Sequence, residues 1–198
     1  MRMNYIFDRT FQKYGNVIDD IDFGLLIEDA KDIQADMDFD KQMEHYECCQ
    51  KIKKEIFHEH AIQVKYYRGH NHTTNHVEFH ATSEIFVAVS DCVIFLGMNK
   101  DLEPNQVYHM KHMEGFFVPK GTAVRINPGV LHCTPCNINS YGFKMISIER
   151  KHTSEPLDEI ERNQEDRTLF AKNQWLIVNK EAKIDGAFCG LKGESFAV

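Results

Sequence analysis

Between Ile62 and Ile148 the chain is cut into short β-rich runs, and this punctuation limits the possible folds more than any other feature of the sequence. The runs are Gln63 to Tyr67, Val77 to His80, Ile85 to Val89, Cys92 to Leu96, Gly115 to Val118, Ala123 to Ile126 and Gly142 to Ile148. Each is rich in β-branched and aromatic residues and too short for a globular helix. Turn formers separate them at Gly69, Gly97, Pro104, Pro119-Lys120-Gly121 and Asn127-Pro128-Gly129. Short strands at close intervals predict a mostly β sandwich or jelly roll, and because no internal repeat is visible, a single barrel is expected over residues 61–150. The first sixty residues read differently. Ile21, Leu25, Leu26, Ala30 and Ile33 recur at helical intervals within an acidic stretch from Asp20 to Asp40, and Lys41 to His60 continues with charges and few turn signals. Residues 1–60 are therefore expected to decorate the barrel with helices. Residues 151–198, which carry the apolar segment Trp175 to Val178, are expected to form an extension packed on the barrel, again with helices.

The 198 residues, 42% of them hydrophobic, suffice for one sizeable core. A formal net charge of −7 argues against a surface that tracks phosphates and against an anionic membrane partner, so neither nucleic acid nor membrane is expected as a partner. The longest apolar stretch, Ile85 to Gly97, is interrupted by Ser90 and Asp91, and the N-terminus has no basic region followed by an apolar one. A cytoplasmic protein is expected. Six cysteines are present, including Cys48-Cys49 and Cys133-Thr134-Pro135-Cys136. The latter pair lacks the second C-x-x-C of a zinc ribbon and opens no helix as a thioredoxin-type pair would, so reduced thiols are expected. Cys136 shares strand parity with His132 and is a candidate pocket residue.

The chemistry concentrates in Glu78-Phe79-His80-Ala81-Thr82-Ser83-Glu84 and, about fifty residues on, in Gly129-Val130-Leu131-His132. Strand residues two apart share a face and lie about 6.6 Å apart, so Glu78 and His80 point the same way. Glu84 is too far along for one straight strand and must follow a bend that begins the next strand, while His132 closes the site from a distant strand. Single His or Glu residues on strands usually face solvent; four that converge are a candidate metal site. His76 has the same parity but lies about 13 Å along the strand from His80, which suits a pocket wall or a surface residue better than a fourth ligand.

These residues resemble the two motifs of the cupin superfamily, G-x5-H-x-H-x3,4-E-x6-G and G-x5-P-x-G-x2-H-x3-N. The first is matched by Glu78-x-His80-x3-Glu84-x6-Asp91, with Glu78 in place of the first His and Asp91 in place of the final Gly. The second is matched by Gly121-x5-Asn127-x-Gly129-x2-His132-x3-Cys136, with Asn127 in place of Pro and Cys136 in place of Asn. The wider pattern of Tyr67-Arg68-Gly69-His70-Asn71, Ser83-Glu84, Val118-Pro119-Lys120-Gly121, Gly142-Phe143 and Lys172-Asn173-Gln174-Trp175-Leu176 is similar to an uncharacterised bacterial single-domain cupin family, a domain of unknown function, over about residues 60 to 195. Glu-Phe-His and Ser-Glu before an apolar strand also resemble, over a short stretch, the ureidoglycolate lyase branch. The resemblance implies a cupin jelly-roll barrel with flanking helices at both ends, a metal site and a homodimer formed through edge strands. It implies no particular reaction.

The ligand set narrows the chemistry. Imidazole and carboxylate suit a divalent Zn, Mn, Fe, Co or Ni ion, and spacing does not select among them. Glu78, Glu84, His80 and His132 together would neutralise such an ion and favour Lewis-acid work; without Glu78 the remaining three form the two-His-one-carboxylate set of non-haem iron oxygenases. The expected function is a metal-dependent isomerase, epimerase or lyase acting on a small polar, oxygen-rich metabolite such as a sugar, sugar acid or hydroxy acid. Its proton-moving base would be Glu78 or Lys144, and Arg68, Lys120 and Arg125 are candidates for holding a carboxylate or phosphate. An iron dioxygenase and a non-catalytic sugar-binding cupin are the alternatives.

Overall fold

A computed structural model of the chain describes residues 3–33, 37–39, 43–158 and 165–196. The N-terminal part runs β1 (Met3–Tyr5), β2 (Gly15–Ile18), α1 (Gly24–Ala30), β3 (Met37–Phe39) and α2 (Glu47–Glu55). The middle part runs β4 (Ile62–Gly69), β5 (His76–Phe79), β6 (Glu84–Ala88), β7 (Cys92–Met98), β8 (Tyr108–His109), β9 (Glu114–Val118), β10 (Ala123–Ile126), β11 (Val130–His132), β12 (Cys136–Asn137) and β13 (Phe143–Arg150). The C-terminal part adds β14 (Leu169–Ala171), β15 (Gln174–Val178), β16 (Phe188–Cys189) and β17 (Leu191–Lys192). The protein is mostly β. Among the described residues no helix is long and apolar enough to cross a membrane.

The strands form two large sheets. The nine-stranded sheet has the order β1-β9-β7-β11-β5-β15-β14, with β12 also paired to β7 and β16 to β15; the six-stranded sheet has the order β2-β10-β6-β13-β4-β3. Three apolar layers follow from the strand alternation. Between the sheets lie Phe86, Ala88, Ile94, Leu96, Phe116, Val118, Val124 and Ile126. The other face of the six-stranded sheet, with Val64, Tyr66, Ile85, Val87, Ile146 and Ile148, is covered by Leu26 and Ala30 of α1 and Cys48, Cys49 and Ile52 of α2. Every residue of β6 is therefore buried, because both its faces are covered, and such strands read as continuous apolar runs. On the far face of the nine-stranded sheet Val77, Phe79, Val93, Phe95 and Leu131 pack with Tyr108, Met110 and Leu191.

The architecture departs from the expected barrel. Among the described residues both sheets are open and do not join into one closed barrel. The first sixty residues supply α1 and α2, on the outside as expected, but they also supply β1, β2 and β3, which pair with β9, β10 and β4. Strands of three or four residues leave too little alternation to be told from a loop, and they are ordered by the neighbour they pair with. After residue 155 the described residues contain no helix; β15 pairs instead with β5, Leu176 opposite Glu78. The expected helical reading of Asp20 to Asp40 and Lys41 to His60 falls partly on residues 34–36 and 40–42, outside the described residues.

Candidate metal centre

Three elements bring the four candidate ligands together. Glu78 is on β5, His80 follows the end of that strand, Glu84 opens β6, and His132 ends β11. His132 is the antiparallel partner of Glu78, so the two side chains stand side by side on the inner face of the nine-stranded sheet. Ala81-Thr82-Ser83 carries the chain across to the six-stranded sheet, where Glu84 faces them. The turn before β11 sets His132. Val130 N–H donates to the Asn127 carbonyl at 3.2 Å, Pro128 occupies the second position, and Gly129 takes φ +75° in the third, where a side chain would be strained. Gly129 N–H in turn donates to the His80 carbonyl at 2.8 Å, joining the two ligand-bearing segments.

Both imidazoles are fixed in the same way. His80 Nδ1 lies 2.9 Å from the Asn173 carbonyl oxygen and His132 Nδ1 lies 3.0 Å from that of Val130. A carbonyl only accepts, so each ring carries its Nδ1 proton there and presents Nε2 to the interior. His132 Nε2 is 3.0 Å and His80 Nε2 3.3 Å from Glu84 Oε2, while Ser147 Oγ donates to Glu84 Oε1 at 2.5 Å. Glu84 Oε2 and His132 Nε2 are buried with no hydrogen-bond partner, since the close approach lacks hydrogen-bond geometry. Glu78 is looser: Oε1 is 3.8 Å from His132 Nε2, Oε2 accepts from Gln174 Nε2, and its side chain is 24% exposed against 7% for Glu84.

This arrangement fits a divalent ion. Ligand atoms bonded at about 2.1 Å stand about 3.0 Å apart at a right angle and about 3.4 Å apart at the tetrahedral angle, which brackets the 3.0 and 3.3 Å separations at Glu84. Two acceptor atoms facing each other in a dry interior are costly unless a cation or proton lies between them. Two sets of donors lie within 4.8 Å of one another, Glu78, His80 and His132 on the solvent side and His80, Glu84 and Glu149 on the deep side. The deep set is less suited to an ion, because Lys65 is ion-paired to Glu149 and Gln63 Nε2 donates to Glu149 Oε1 at 2.6 Å.

The electrostatics agree with a charged cluster. Burial acts to lower the pKa of His80, but the close approach and negative charge of Glu84 outweigh it and push it up to about 9. His132 is likewise raised, with Glu84 prevailing over burial. Burial alone would raise Glu84, yet the two imidazoles hold it well below the usual carboxylate range. Glu149 is raised by burial and by the charge of Glu84, against the pull of Lys65. Because both imidazoles are raised, a bound ion would compete with protons at their Nε2 atoms.

Other candidate residues lie elsewhere. Lys144 is one residue out of step with Phe143, Met145 and Ser147, which face inward; it stands opposite Arg68 on the outer face of the six-stranded sheet, and its Nζ donates to the Lys31 carbonyl. Neither Lys144 nor Arg68 faces the cluster. Arg125 alternates with the inward Val124 and Ile126, and its Nε donates to Ser83 Oγ at 2.9 Å, bracing the connection before Glu84 from outside. Lys120 is exposed in the turn after β9, its N–H donating to Asp91 Oδ1 at 2.7 Å. Cys136 is buried among Val93, Phe95 and Cys133 on the far face of the nine-stranded sheet, where burial pushes its thiol up to about 11. Residues 133–135 are not in a strand, so parity does not carry from His132 to Cys136. All six cysteines are free. His76 shares the face of Glu78 two residues away, with Nδ1 2.8 Å from Asn75 Oδ1 and Nε2 3.3 Å from Thr134 Oγ1, and burial lowers its pKa.

Sequence reasoning missed Ser147, Glu149, Lys65, Gln63, Asn173 and Gln174. Ser147 and Glu149 alternate with Ile146 and Ile148, as Gln63 and Lys65 do with Ile62, Val64 and Tyr66. Two adjacent strands with polar residues on one face and apolar residues on the other carry a legible signal, but it does not say which face points to the site.

A family model described as a domain of unknown function (DUF4867) matches residues 3–196. The chain belongs to this family. Because the match begins at residue 3, the N-terminal strands are within the family's domain. No curated protein matches the chain. Similar solved structures include an oxalate decarboxylase of Bacillus subtilis, at 12% identity over 50% of this chain and 24% of that one, TM-score 0.35. A salicylate 1,2-dioxygenase of Pseudoaminobacter salicylatoxidans is similar at 12% identity over 63% of this chain and 28% of that one, TM-score 0.35. The chain spans about a quarter of the length of these structures, and the TM-scores are too low for either to carry an argument.

Proposed function

We propose that the protein is a metal-dependent enzyme of cupin type that acts on a small, oxygen-rich metabolite such as a sugar, sugar acid or hydroxy acid by isomerase, epimerase or lyase chemistry. The observation that carries this reading is the pair of imidazoles whose Nδ1 protons are tied to backbone carbonyls, leaving two Nε2 atoms aimed at a buried Glu84 oxygen. That is how protein sites prepare histidine ligands. A bound divalent ion would supply Lewis acidity toward a substrate carbonyl or hydroxyl oxygen. His80, His132 and Glu84 would hold the ion. Glu84 is kept ionised by the imidazoles and oriented by Ser147. Glu78 stands on the solvent side, with Oε2 engaged by Gln174 and Oε1 available to take a proton from a carbon next to the substrate carbonyl. Lys144 is not proposed as the base, because it faces the opposite side of β13. His76 and Thr134, beside Glu78, offer hydrogen-bonding groups for a hydroxylated substrate.

One observation favours a second reading. Glu84 approaches both imidazoles within 3.3 Å, whereas Glu78 stays 3.8 Å from His132, and this three-residue set, which the first reading also uses, is the two-His-one-carboxylate arrangement of iron oxygenases. Elemental analysis of the purified protein followed by incubation with sugar acids and hydroxy acids in deuterated water separates the readings. Deuterium entry at the carbon next to the carbonyl, lost in Glu78→Gln with metal retained, is expected. Bound iron with substrate-dependent oxygen uptake would instead establish the dioxygenase, and tight sugar binding without turnover or exchange would establish a binding protein.

A further inference from the structure

We infer that Asn173 and Gln174, at the entry to β15, are positioning residues that set the geometry of the metal centre by holding Glu78 and His80, more than ninety residues away in sequence. This rests on the reading of the Glu78, His80, Glu84 and His132 cluster as a metal site. β15 lies directly beside β5, with Trp175 opposite Phe79 and Leu176 opposite Glu78, and the Phe79 and Trp175 rings stack at 5.2 Å. That contact fixes the place of the two preceding residues.

Asn173 acts on the His80 side in two ways. Its carbonyl oxygen holds His80 Nδ1 at 2.9 Å, which fixes both the tautomer and the ring orientation. Its side chain holds the connection from His80 to Glu84: Oδ1 accepts from Ala81 N–H at 3.0 Å, and Nδ2 donates to Thr82 Oγ1 at 2.9 Å and to Thr153 Oγ1 at 3.2 Å. One amide thus holds the first half of the connection, while Arg125 holds Ser83 at its end. Gln174 acts on the opposite side, where its Nε2 donates to Glu78 Oε2 and leaves Oε1 as the oxygen nearest His132. An unrestrained Glu side chain that is 24% exposed would sample several rotamers. The dipeptide thus restrains both carboxylate-bearing ends of the site, and it does so without being a ligand itself.

Titration of the metal-stripped full chain with cobalt(II), followed by calorimetry and by visible absorption, tests this. Asn173→Ala keeps the backbone carbonyl on His80 Nδ1 and removes only the amide that holds Ala81 and Thr82; it is expected to weaken cobalt affinity by about 10-fold at unchanged stoichiometry, the lower end of the effect of losing an outer partner of a metal site. Gln174→Met keeps side-chain length without the donor; Glu78 stands beside the ion without holding it, so its loosening is expected to shift the cobalt absorption bands with little change in affinity. Gln174→Met carries the test alone if Asn173→Ala does not fold. Ile177→Ala serves as the control, because Ile177 is buried on the far face of the same strand. It should lower the melting temperature and leave cobalt affinity and spectrum as in the wild type. Wild-type affinity and spectrum in both site variants, or a loss in Ile177→Ala as large as in Asn173→Ala, would overturn the inference while leaving the metal centre standing. A wild-type protein that takes up no cobalt would overturn the metal reading and this inference with it.

Discussion

The space between the two sheets has two unlike ends. Near β9 and β10 it is filled by Phe11, Tyr14, Phe116, Val118, Val124 and Ile126, a close-packed apolar region. Toward β4, β5 and β13 the same space holds Gln63, Lys65, Glu78, His80, Glu84, His132, Ser147 and Glu149. Burying an ion costs several kcal/mol even after relaxation, whereas the apolar end gains with each methylene removed from water. The same two sheets thus combine a region that stabilises the fold with one that is stable only while its charges remain paired. The polar end therefore adds less to stability than the apolar end, a contrast that can be tested from both sides.

The largest effect is expected from removing both imidazoles. His80→Ala with His132→Ala should abolish stoichiometric metal, measured by elemental analysis of the purified variant; retained metal would place the site elsewhere. Next, Phe116→Ala should destabilise the metal-free protein by about 3–5 kcal/mol in urea titrations by opening a cavity, and Glu84→Ala by about 1–3 kcal/mol, because Ser147 Oγ loses its buried acceptor and the imidazoles shed the protons that Glu84 stabilised. They should part on metal, which Phe116→Ala keeps and Glu84→Ala loses. Equal metal content in the two would erase the distinction between the ends.

A smaller effect is expected from pH. His80 titrates near 9 in the folded chain and near about 6.5 when unfolded, so the folded state binds more protons across that interval. The stabilisation is fully present below about 6.5 and is lost as pH rises through about 9. Stability of the metal-free protein should fall across this window, while metal affinity rises because binding no longer has to displace protons. A flat stability profile from pH 6.5 to 9 would show that the imidazoles are neutral without metal. The smallest effect is expected at Cys136, on the far face of the larger sheet. Cys136→Ser should leave metal content unchanged and lower stability by about 1 kcal/mol, as a hydroxyl replaces a thiol among apolar neighbours; lost metal in a folded variant would contradict its placement outside the site.

Most strands between residues 62 and 148 were legible in the sequence, though not the two-residue β8 and β12; alternation and a bend related Glu78, His80 and Glu84, whereas His132 was joined to them by the motif resemblance, since local periodicity does not link residues fifty apart. Alternation also separated the polar from the apolar face of β4 and β13, but periodicity has no sign. Only the packing of α1 and α2 on one face of the six-stranded sheet decided that Ser147 and Glu149 look inward while Lys144 and Arg68 look out. The three residues between His132 and Cys136 broke the parity that would have put the thiol in the site. The edge strands β1, β2 and β3 and the placement of β15 beside β5 were likewise decided by tertiary structure. Segments so short take their conformation from the partner they pair with, and that partner is fixed only once residues as far apart as Glu78 and Gln174 have been brought together by the closing of the whole chain.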